Sequence, residues 1–426
     1  MMVREFLINL NNFFLSVSDA IDLANPSISA HQIRVAYISW RLAKIFNLSP
    51  ERLKHLYIAA LFHDIGALSP KDKFRLHRSI ERNLDLHCIK GEKLFNSLPF
   101  LAPMAPLIRY HHKPWHLWEK EGASLESPYV LESQLLNLAD TVERLINRDE
   151  FILEQQTIIT KKILSLSRKD FHPDLVTAFL DLSKQESFWF DVTNQRLYSI
   201  LLKYGPLESV QAGIEEIAQL AGFFSKIIDF KSRFTSTHSN GVAACATILS
   251  HLCGFTEQEV LYMKIAASLH DLGKLIVPNS VLEKPGRLTA EEFNFLKQHT
   301  YYTYMILSSI EGFETVAEWA AFHHEKLDGS GYPFGLTGDR LSLGARIMAV
   351  ADIFTALIEE RPYRAPMGKE EVVEIFNSQL RKGLLDNRIV KILFENYEDI
   401  EARVKKYQKL AEKNYLEYLE DLDLAA

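Results

Sequence analysis

Cysteine is scarce in this chain, which has 426 residues and only three thiols, at Cys88, Cys245 and Cys253. An odd and sparse set of cysteines does not make a disulfide framework and is typical of proteins from a reducing compartment. We therefore expect a cytoplasmic protein whose stability comes from its core.

Long apolar segments are also missing. No uncharged apolar run reaches the roughly 18 residues that a membrane-spanning helix needs, and the start, Met1 to Glu5, lacks the pattern of a signal peptide. The sequence predicts no membrane span, so a signal would reach the protein in solution or through a partner.

Excess positive charge is absent as well, since the formal net charge is −7. This balance argues against binding long nucleic acid, although a local basic pocket for a small phosphate ligand is compatible with it. Hydrophobic residues make up 47% and charged residues 24% of the chain. That composition is typical of a globular protein, and the length suggests two or three domains.

Histidine and aspartate, in contrast, are plentiful in a pattern that recurs in the two halves of the chain. The recurring positions are His31, His63, Asp64, His87, His111, His112 and Asp140 in the first half, and His238, His270, Asp271, His299, His323, His324 and Asp352 in the second.

The spacing of these residues is almost the same in both halves. The first histidine precedes the His-Asp pair by 32 residues in each half, the third histidine precedes the His-His pair by 24, and that pair precedes the last aspartate by 29. Only the step from the His-Asp pair to the third histidine differs, with 24 residues in the first half and 29 in the second. The sequence therefore predicts two copies of one domain.

Apolar residues recur at helical spacing, as at Val35, Ile38 and Leu42, and strand-like alternation is rare. We predict an all-α fold of two tandem helical bundles, at 1–200 and 229–400, joined by a connecting helix at 201–228 and followed by a solvated helical tail at 401–426. The connecting helix would either pack inside one chain or form a dimer coiled coil. Its apolar seam comprises Leu207, Val210, Ile214, Ile217, Ala221, Phe224 and Ile228.

The recurring residues are of the types that bind divalent transition metals, through imidazole nitrogen and carboxylate oxygen. Seven ligands are too many for one tetrahedral ion. A two-metal site fits better, with one carboxylate bridging ions roughly 3.5–4 Å apart. The second half is the stronger candidate, and the first half offers a candidate second metal site.

The segment His270-Asp271, followed by His323-His324 and the loop Gly331-Tyr332-Pro333, resembles the HD-GYP family of the HD phosphohydrolases. The resemblance covers roughly residues 226 to 400, while the first copy is similar to a degenerate HD-GYP domain. It implies an all-helical fold of HD-type bundles. It also implies hydrolysis of cyclic di-GMP or 3′,3′-cyclic GMP-AMP to the linear dinucleotide by a metal-bridging hydroxide.

Carried over to the second copy, the resemblance implies two divalent transition metal ions, such as iron or manganese. One ion would take His238, His270, Asp271 and Asp352. The other would share Asp271 as a bridge, and its further ligands would be His299, His323 and His324. Asp271 would thus be central to catalysis.

The resemblance also implies groups that hold the substrate. Lys274 matches a lysine near the phosphate, Tyr332 matches a contact to base or phosphate, and Arg361 and Arg364 match phosphate or guanine contacts. Family members with three metals have a glutamate four residues before the first ligand histidine. Here that position is Phe234, which points to a centre of two metals.

The first copy departs further from the family pattern. The lysine position is Ala67, the Gly-Tyr-Pro loop is replaced by a segment with Trp115 and Trp118, and the arginine positions are Asp149 and Ile152. The first copy keeps the ligands but loses the phosphate-handling groups. We expect a regulatory or structural metal site there, or else hydrolysis of another phosphoester.

Two other functions stay open at this point. The protein could be a non-catalytic module that senses a cyclic dinucleotide, or a different HD nucleotide phosphohydrolase. Lys274, Tyr332 and the full ligand set argue against the first, and the Gly-Tyr-Pro loop argues against the second. A homodimer is a candidate assembly.

Overall fold

The structure is a computed structural model that describes residues 7–22, 29–67, 85–230, 237–284, 286–360 and 364–423. Helices make up nearly all of the regular structure in these ranges, so the predicted all-α fold is confirmed. The described residues form two compact units. The N-terminal unit contains residues 10–210, and the C-terminal unit contains residues 7–9 and 211–423.

The described part of the N-terminal unit contains eleven helices. They are α1 (Leu10–Asp22), α2 (His31–Ile45), α3 (Pro50–Leu61), α4 (Asp85–Asn96), α5 (Ala105–Tyr110), α6 (Trp115–Lys120), α7 (Val130–Arg144), α8 (Ile152–Ser165), α9 (Pro173–Leu182), α10 (Glu186–Val192) and α11 (Leu197–Tyr204), with a short 3₁₀ turn at Ala102–Met104.

Ten helices form the described part of the C-terminal unit. They are α12 (Ile214–Phe230), α13 (His238–Leu252), α14 (Glu257–Leu269), α15 (Asn279–Leu282), α16 (Ala290–Ser308), α17 (Glu314–Ala321), α18 (Leu343–Ile358), α19 (Lys369–Arg381), α20 (Asn387–Glu395) and α21 (Tyr397–Asp423), with 3₁₀ turns at Leu272–Ile276, Phe322–His324 and Gly338–Arg340.

One small antiparallel sheet accompanies these helices. Strand β1 (Leu7–Asn9) pairs with β2 (Gln211–Gly213), with Ile8 opposite Ala212. This pairing makes the first described residues of the chain part of the C-terminal unit, whereas the sequence assigned everything from residue 1 to 200 to the first domain.

The predicted connecting helix begins at Ile214, so Leu207 and Val210 of the predicted seam precede it. The seam positions inside α12, such as Ile217 and Phe224, are buried where α12 packs along α14 of the same unit. Of the two alternatives for this seam, packing inside one chain is therefore the one that the described residues support.

Helix α21 differs from the expected solvated tail. It begins at Tyr397, and Val404, Gln408 and Ala411 are buried where α21 packs on α13. The neighbouring residues Lys405 and Lys406 are exposed, which is the pattern of an amphipathic helix with one face on the core. The first half of the predicted tail is thus part of the C-terminal unit.

No helix in the described ranges combines the length and the apolar character that crossing a bilayer requires.

Candidate metal centre

The recurring histidines and aspartates of the C-terminal unit lie at helix ends or within helices, and all but one are buried. His238 begins α13, and His270 and Asp271 directly follow α14. The remaining positions lie in α16, in the 3₁₀ turn after α17 and in α18, and they are His299, His323, His324 and Asp352. Five segments of the chain therefore deliver their ligands to one place.

Backbone carbonyls fix the orientation of three of these imidazoles. The Nδ1 atoms of His270, His299 and His323 lie 2.8, 2.7 and 2.6 Å from the backbone oxygen of the residue three positions earlier. An Nδ1–H group that donates to a carbonyl leaves the Nε2 lone pair available and fixes the direction of the ring. These rings are therefore oriented as metal ligands need to be.

The two carboxylate oxygens of Asp271 face different histidines. Oδ1 lies 3.5 Å from His299 Nε2, and Oδ2 lies 3.3 Å from His270 Nε2. On the Oδ2 side the ammonium of Lys274 also approaches, at 2.5 Å. A carboxylate that presents one oxygen to each of two ligand groups has the arrangement of a bridging ligand.

The other ligand atoms fall into two groups on either side of Asp271. In the first, His238 Nε2 lies 3.0 Å from Asp352 Oδ1, and His270 completes the group. In the second, His299 Nε2 lies 3.3 Å from His323 Nε2, and His324 completes the group. These are the two groupings that the family resemblance implied.

The donor set and its spacing fit a divalent ion. Two ligand atoms each about 2.1 Å from one ion lie roughly 3–3.5 Å apart, which is the range of the distances above. Burial lowers the pKa of His299 to about 3, so the ring is a neutral donor at physiological pH. Although burial opposes it, His270 and Lys274 hold the pKa of Asp271 well below its usual range, so this carboxylate is ionised.

Glu359 supports the first ligand histidine, and sequence reasoning did not find it. Its Oε2 lies 3.1 Å from His238 Nδ1, and the amide of Gln408 in α21 donates to the same oxygen over 3.3 Å. Carboxylates behind metal-binding histidines fix ring orientation and raise ligand basicity. Glu359 lies seven residues after Asp352, two helical turns along from it at the end of α18, which is a signal that could have identified it.

The position of Lys274 depends on a close approach of two backbone segments at Gly273. A Cβ atom at Gly273 would lie 1.9 Å from the backbone oxygen of His299, which leaves no room for a side chain. The Gly273 N–H donates to Thr303 Oγ1 over 2.9 Å, and Thr303 in turn donates to the backbone oxygen of His270. Helix α16 is thereby fixed against the turn that bears Asp271 and Lys274.

Tyr332, for which the resemblance implied a contact to base or phosphate, lies beside the second ligand group. Its ring centroid is 4.9 Å from that of His324, and its backbone N–H donates to the His324 backbone oxygen over 3.3 Å. The loop is held by the buried Glu325, whose carboxylate accepts from the backbone N–H groups of Phe334 and Leu336 at 2.7 and 3.0 Å. Glu325 is another supporting residue that the sequence reasoning did not single out.

Of the two arginines that the resemblance implied as substrate contacts, the structure describes Arg364. The Arg364 guanidinium donates to the backbone oxygens of Ala356 and Leu357 at the end of α18, and these are its hydrogen bonds to the part of the chain that the structure describes. Arg361 lies outside the described residues, and so does Phe234, the position on which the two-metal expectation depends.

The N-terminal unit repeats the same placement. His31 begins α2, His63 and Asp64 follow α3, and His87 and Asp140 lie in α4 and α7. Asp64 again divides its oxygens, with Oδ1 at 3.5 Å from His87 Nε2 and Oδ2 at 3.7 Å from His63 Nε2. Glu143 takes the role of Glu359, because its Oε2 lies 2.5 Å from His31 Nδ1.

The His-His pair of this unit has an additional neighbour. His111 and His112 follow α5, and His111 Nε2 lies 3.2 Å from His87 Nε2. The buried thiol of Cys88 lies 3.5 Å from His87 Nε2, within the same group of potential ligands. Sequence reasoning counted Cys88 only as evidence on compartment and did not include it in the site.

The N-terminal unit has different side chains at the positions that correspond to the substrate-handling groups of the second copy. Trp115 and Trp118 are buried in a hydrophobic cluster with Val130, and the Lys113 ammonium lies over the Trp118 ring, 3.8 Å from its centroid. Ala67, at the position of Lys274, is buried as well. Asp149 is exposed and Ile152 is part of the core. None of these side chains replaces the cations of the second copy.

Comparison with known proteins agrees with this architecture. Models of the HD domain match residues 28–145 and residues 222–389. The 3′3′-cGAMP-specific phosphodiesterase 1 of Vibrio cholerae is 32% identical over 401 residues, which cover 92% of this chain and 93% of that protein. The cyclic di-GMP phosphodiesterase response regulator RpfG of Xanthomonas campestris is 37% identical over 189 residues, 44% of this chain and 49% of that protein.

A solved structure supports the fold across both units. The crystal structure of the cyclic GMP-AMP-specific phosphodiesterase V-cGAP3 of V. cholerae matches with a TM-score of 0.63 at 24% identity, and the match covers 92% of this chain and 98% of that one. The chain therefore belongs to the HD-GYP family and carries two HD domains in tandem. HD domains are metal-dependent, and the His/Asp groups of the C-terminal unit could hold metal.

Proposed function

We propose that the C-terminal unit is a metal-dependent phosphodiesterase that opens a cyclic dinucleotide to the linear form. The observation that carries this proposal is the convergence on Asp271 of two ligand groups, one on each carboxylate oxygen. Relatives that share this family hydrolyse cyclic dinucleotides, as their names state.

We propose two divalent ions for this centre, iron or manganese by the chemistry of imidazole and carboxylate ligands. His238, His270 and Asp352 would hold one, and His299, His323 and His324 the other, with Asp271 shared. When bound, the two ions supply an activated water and positive charge next to the phosphate oxygens. The seven ligands leave no need for the third ion that a glutamate at position 234 would bring.

The protein's own groups would position the substrate. The Lys274 ammonium is fixed by Asp271 and directs positive charge to the side of the centre where a phosphate would lie, a preorganised arrangement that favours the charged transition state. Tyr332 offers an aromatic face beside His324 for a base. Arg361 and Arg364 stay predicted phosphate or guanine contacts.

In the proposed reaction, a water oxygen attacks one phosphorus and the bond from that phosphorus to the 3′ oxygen breaks. The 3′ oxygen takes up a proton, and the product is a linear dinucleotide with a 5′ phosphate. Of the two candidate substrates we favour 3′,3′-cyclic GMP-AMP, because the relative that matches across both HD domains is specific for it by name.

The test is to incubate the full chain with manganese or iron(II) and with either cyclic dinucleotide, and to follow the linear product by chromatography. We expect linear product with both metals and faster turnover of cyclic GMP-AMP. Binding of a cyclic dinucleotide without any turnover would support the sensing module instead. A homodimer and a cytoplasmic location stay predictions.

A further inference from the structure

Arg144, the last residue of α7, lies one helical turn after Asp140 and contacts it directly. Its Nε donates to Asp140 Oδ1 over 2.9 Å, and the side chain is only 19% exposed. The corresponding position in the second copy, four residues after Asp352, is Ala356. The first copy therefore has an arginine beside its last candidate metal ligand, Asp140, where the second copy has an alanine.

The oxygen that binds Arg144 is also the one that faces His31 and His63, while Asp140 Oδ2 lies 3.9 Å from His112 Nδ1. Asp140 Oδ1 lies 3.3 Å from His31 Nε2 and 3.6 Å from His63 Nε2. It is therefore the atom that would ligate an ion held by these two imidazoles. A guanidinium is permanently charged and donates from a rigid fork, so it would compete with an ion for this oxygen and would repel the ion.

Asp352 has different neighbours in the C-terminal unit. Its oxygens lie 3.0 Å from His238 Nε2 and 3.7 Å from His324 Nδ1. Within the ranges that the structure describes, no lysine or arginine forms an ion pair with Asp352. Among the described residues, the ion pairs of this carboxylate are with an arginine and histidines in the first copy and with the histidines alone in the second.

Two more arginines form ion pairs with Glu143, the carboxylate behind His31. Glu143 Oε1 lies 3.2 Å from an Arg34 nitrogen and 2.9 Å from an Arg148 nitrogen, while its Oε2 faces His31 Nδ1 at 2.5 Å. Together with Arg144, the unit supplies three guanidinium groups for the three carboxylates Asp64, Asp140 and Glu143. The negative charge of the N-terminal cluster is thus balanced by the protein itself.

We propose that the Arg144 guanidinium takes the place of the metal ion that His31, His63 and Asp140 would otherwise hold in the N-terminal unit. Sequence reasoning kept this cluster as a candidate metal site, and its histidines would instead act as a buried polar network around Asp64 and Asp140. A network of this kind stabilises a specific packing when its members are paired. The proposal does not depend on the substrate of the C-terminal unit.

The first test is metal content per full-length chain, measured by plasma mass spectrometry after loading with manganese or iron(II) and removal of free ions. We expect the double variant His63→Ala with Asp64→Ala to keep the metal content of the wild type. The matched variant His270→Ala with Asp271→Ala should lose it. A loss of one ion or more per chain in the N-terminal variant would overturn the proposal.

The second test exchanges the residues that differ between the copies. Arg144→Ala should bind at least one more ion per chain than the wild type, whereas Arg144→Lys, which keeps the charge, should bind no more. In the C-terminal unit, Ala356→Arg should lose at least one ion per chain. Unchanged metal content in Ala356→Arg would contradict the proposal.

A fold control keeps the Arg144 experiment decisive. Arg144→Gln keeps a polar side chain with an N–H donor but removes the charge, so it serves where Arg144→Ala unfolds. Circular dichroism and thermal unfolding, with and without manganese, would show a folded variant whose melting temperature rises with the metal. If a folded Arg144→Gln protein has neither added metal nor a metal-dependent shift, the idea that the guanidinium stands in for an ion is wrong.

Discussion

The N-terminal and C-terminal units hold their histidines and aspartates at the same places in the helices. They differ in which aspartate of the cluster forms an ion pair with a basic side chain. In the C-terminal unit the cation is Lys274, which contacts the shared Asp271. In the N-terminal unit it is Arg144, which contacts Asp140. Two HD domains with the same ligand types therefore differ in the charge around these ligands, because neighbouring side chains decide the charge that remains.

The close packing that brings the ligands together is shared by the two copies. A Cβ atom at Gly66 would lie 2.0 Å from the backbone oxygen of His87, just as one at Gly273 would lie 1.9 Å from that of His299. In both copies a glycine lets the helix with the third histidine pack closely against the His-Asp turn. The packing has been kept even where the substrate-handling side chains are gone.

The largest expected effect comes from removing the His-Asp pair in each copy. We expect His270→Ala with Asp271→Ala to lower the rate of cyclic dinucleotide hydrolysis by more than about 1,000-fold, because Asp271 would organise both of the proposed ions. His63→Ala with Asp64→Ala should keep activity within about threefold of wild type while it lowers stability, since the buried network is broken. Rates are compared on proteins shown to be folded by circular dichroism. Equal losses in both variants would break the comparison.

Substitution of Lys274 should have the next largest effect on the rate of hydrolysis, and Ala67 is the equivalent position in the first copy. Lys274→Ala is expected to lower kcat about 100-fold, the size seen when one preorganised electrostatic group is removed, with metal content unchanged. The matched change Ala67→Lys should confer no additional activity, because the N-terminal unit also lacks the Gly-Tyr-Pro loop and has Asp149 and Ile152 at the arginine positions. A Lys274→Ala protein with wild-type kcat would show that this cation has no part in the reaction.

Substitution of the carboxylates behind the first histidines, Glu359 and Glu143, should give a smaller difference between the two units, and this one is in manganese affinity. Glu359→Gln should weaken metal binding about 10- to 100-fold, as is typical when the partner of a ligand histidine is changed, and this is measured by titration of the metal-free protein with manganese. Glu143→Gln removes the equivalent group of the N-terminal unit. It should leave the manganese affinity unchanged, so a weakened affinity would point to metal in that unit.

The smallest expected effect is a pH-dependent one at equivalent positions of α1 and α12, Asp19 and Lys226. Burial, with help from Asp22, raises the pKa of Asp19 to about 6. The folded state therefore holds this proton more tightly than the unfolded state, and the resulting stability is lost as pH rises from about 4 to about 6.

Asp19→Asn removes this titration. At pH 8 the variant should be more stable than wild type by about 1–2 kcal/mol, and at pH 4 the difference should be small. Urea unfolding at the two pH values measures both. Lys226→Gln is the matched control in the C-terminal unit. It retains Asp19, so it should show the same loss of stability between pH 4 and 6 as the wild type. The same gain for Asp19→Asn at pH 4 would exclude the ionisation as its cause.

Much of this protein could be predicted from spacing alone. The equal intervals between the histidines predicted a repeat, and helical periodicity predicted the all-α fold, because both depend on local sequence. The supporting residues Glu143, Glu359 and Glu325 were missed because they act through contacts between distant segments. Arg144 follows a ligand by one turn, and only the structure shows that its side chain turns back onto Asp140.

The boundary of the second domain was less predictable for a related reason. A polar helix such as α21 has a low mean hydropathy, and its buried positions, among them Val404 and Gln408, are separated by charged residues. Only packing against α13 identifies them as core. Likewise β1 is too short for its pairing with β2 to be inferred from sequence, because pairing between segments about 200 residues apart leaves no local pattern.

The contact of Gln408 with Glu359 has a practical consequence for anyone who shortens or labels this protein. A version that ends at residue 400, where the resemblance to the family ends, would lack Gln408. It would also expose the surface of α13 around Gly241, where Gln408 packs so closely that a Cβ atom would lie only 3.0 Å from its amide nitrogen. Such a version would lose one of the partners that hold the carboxylate behind His238. Truncations for crystallisation should therefore keep the chain at least through Ala411, and a purification tag belongs beyond that residue.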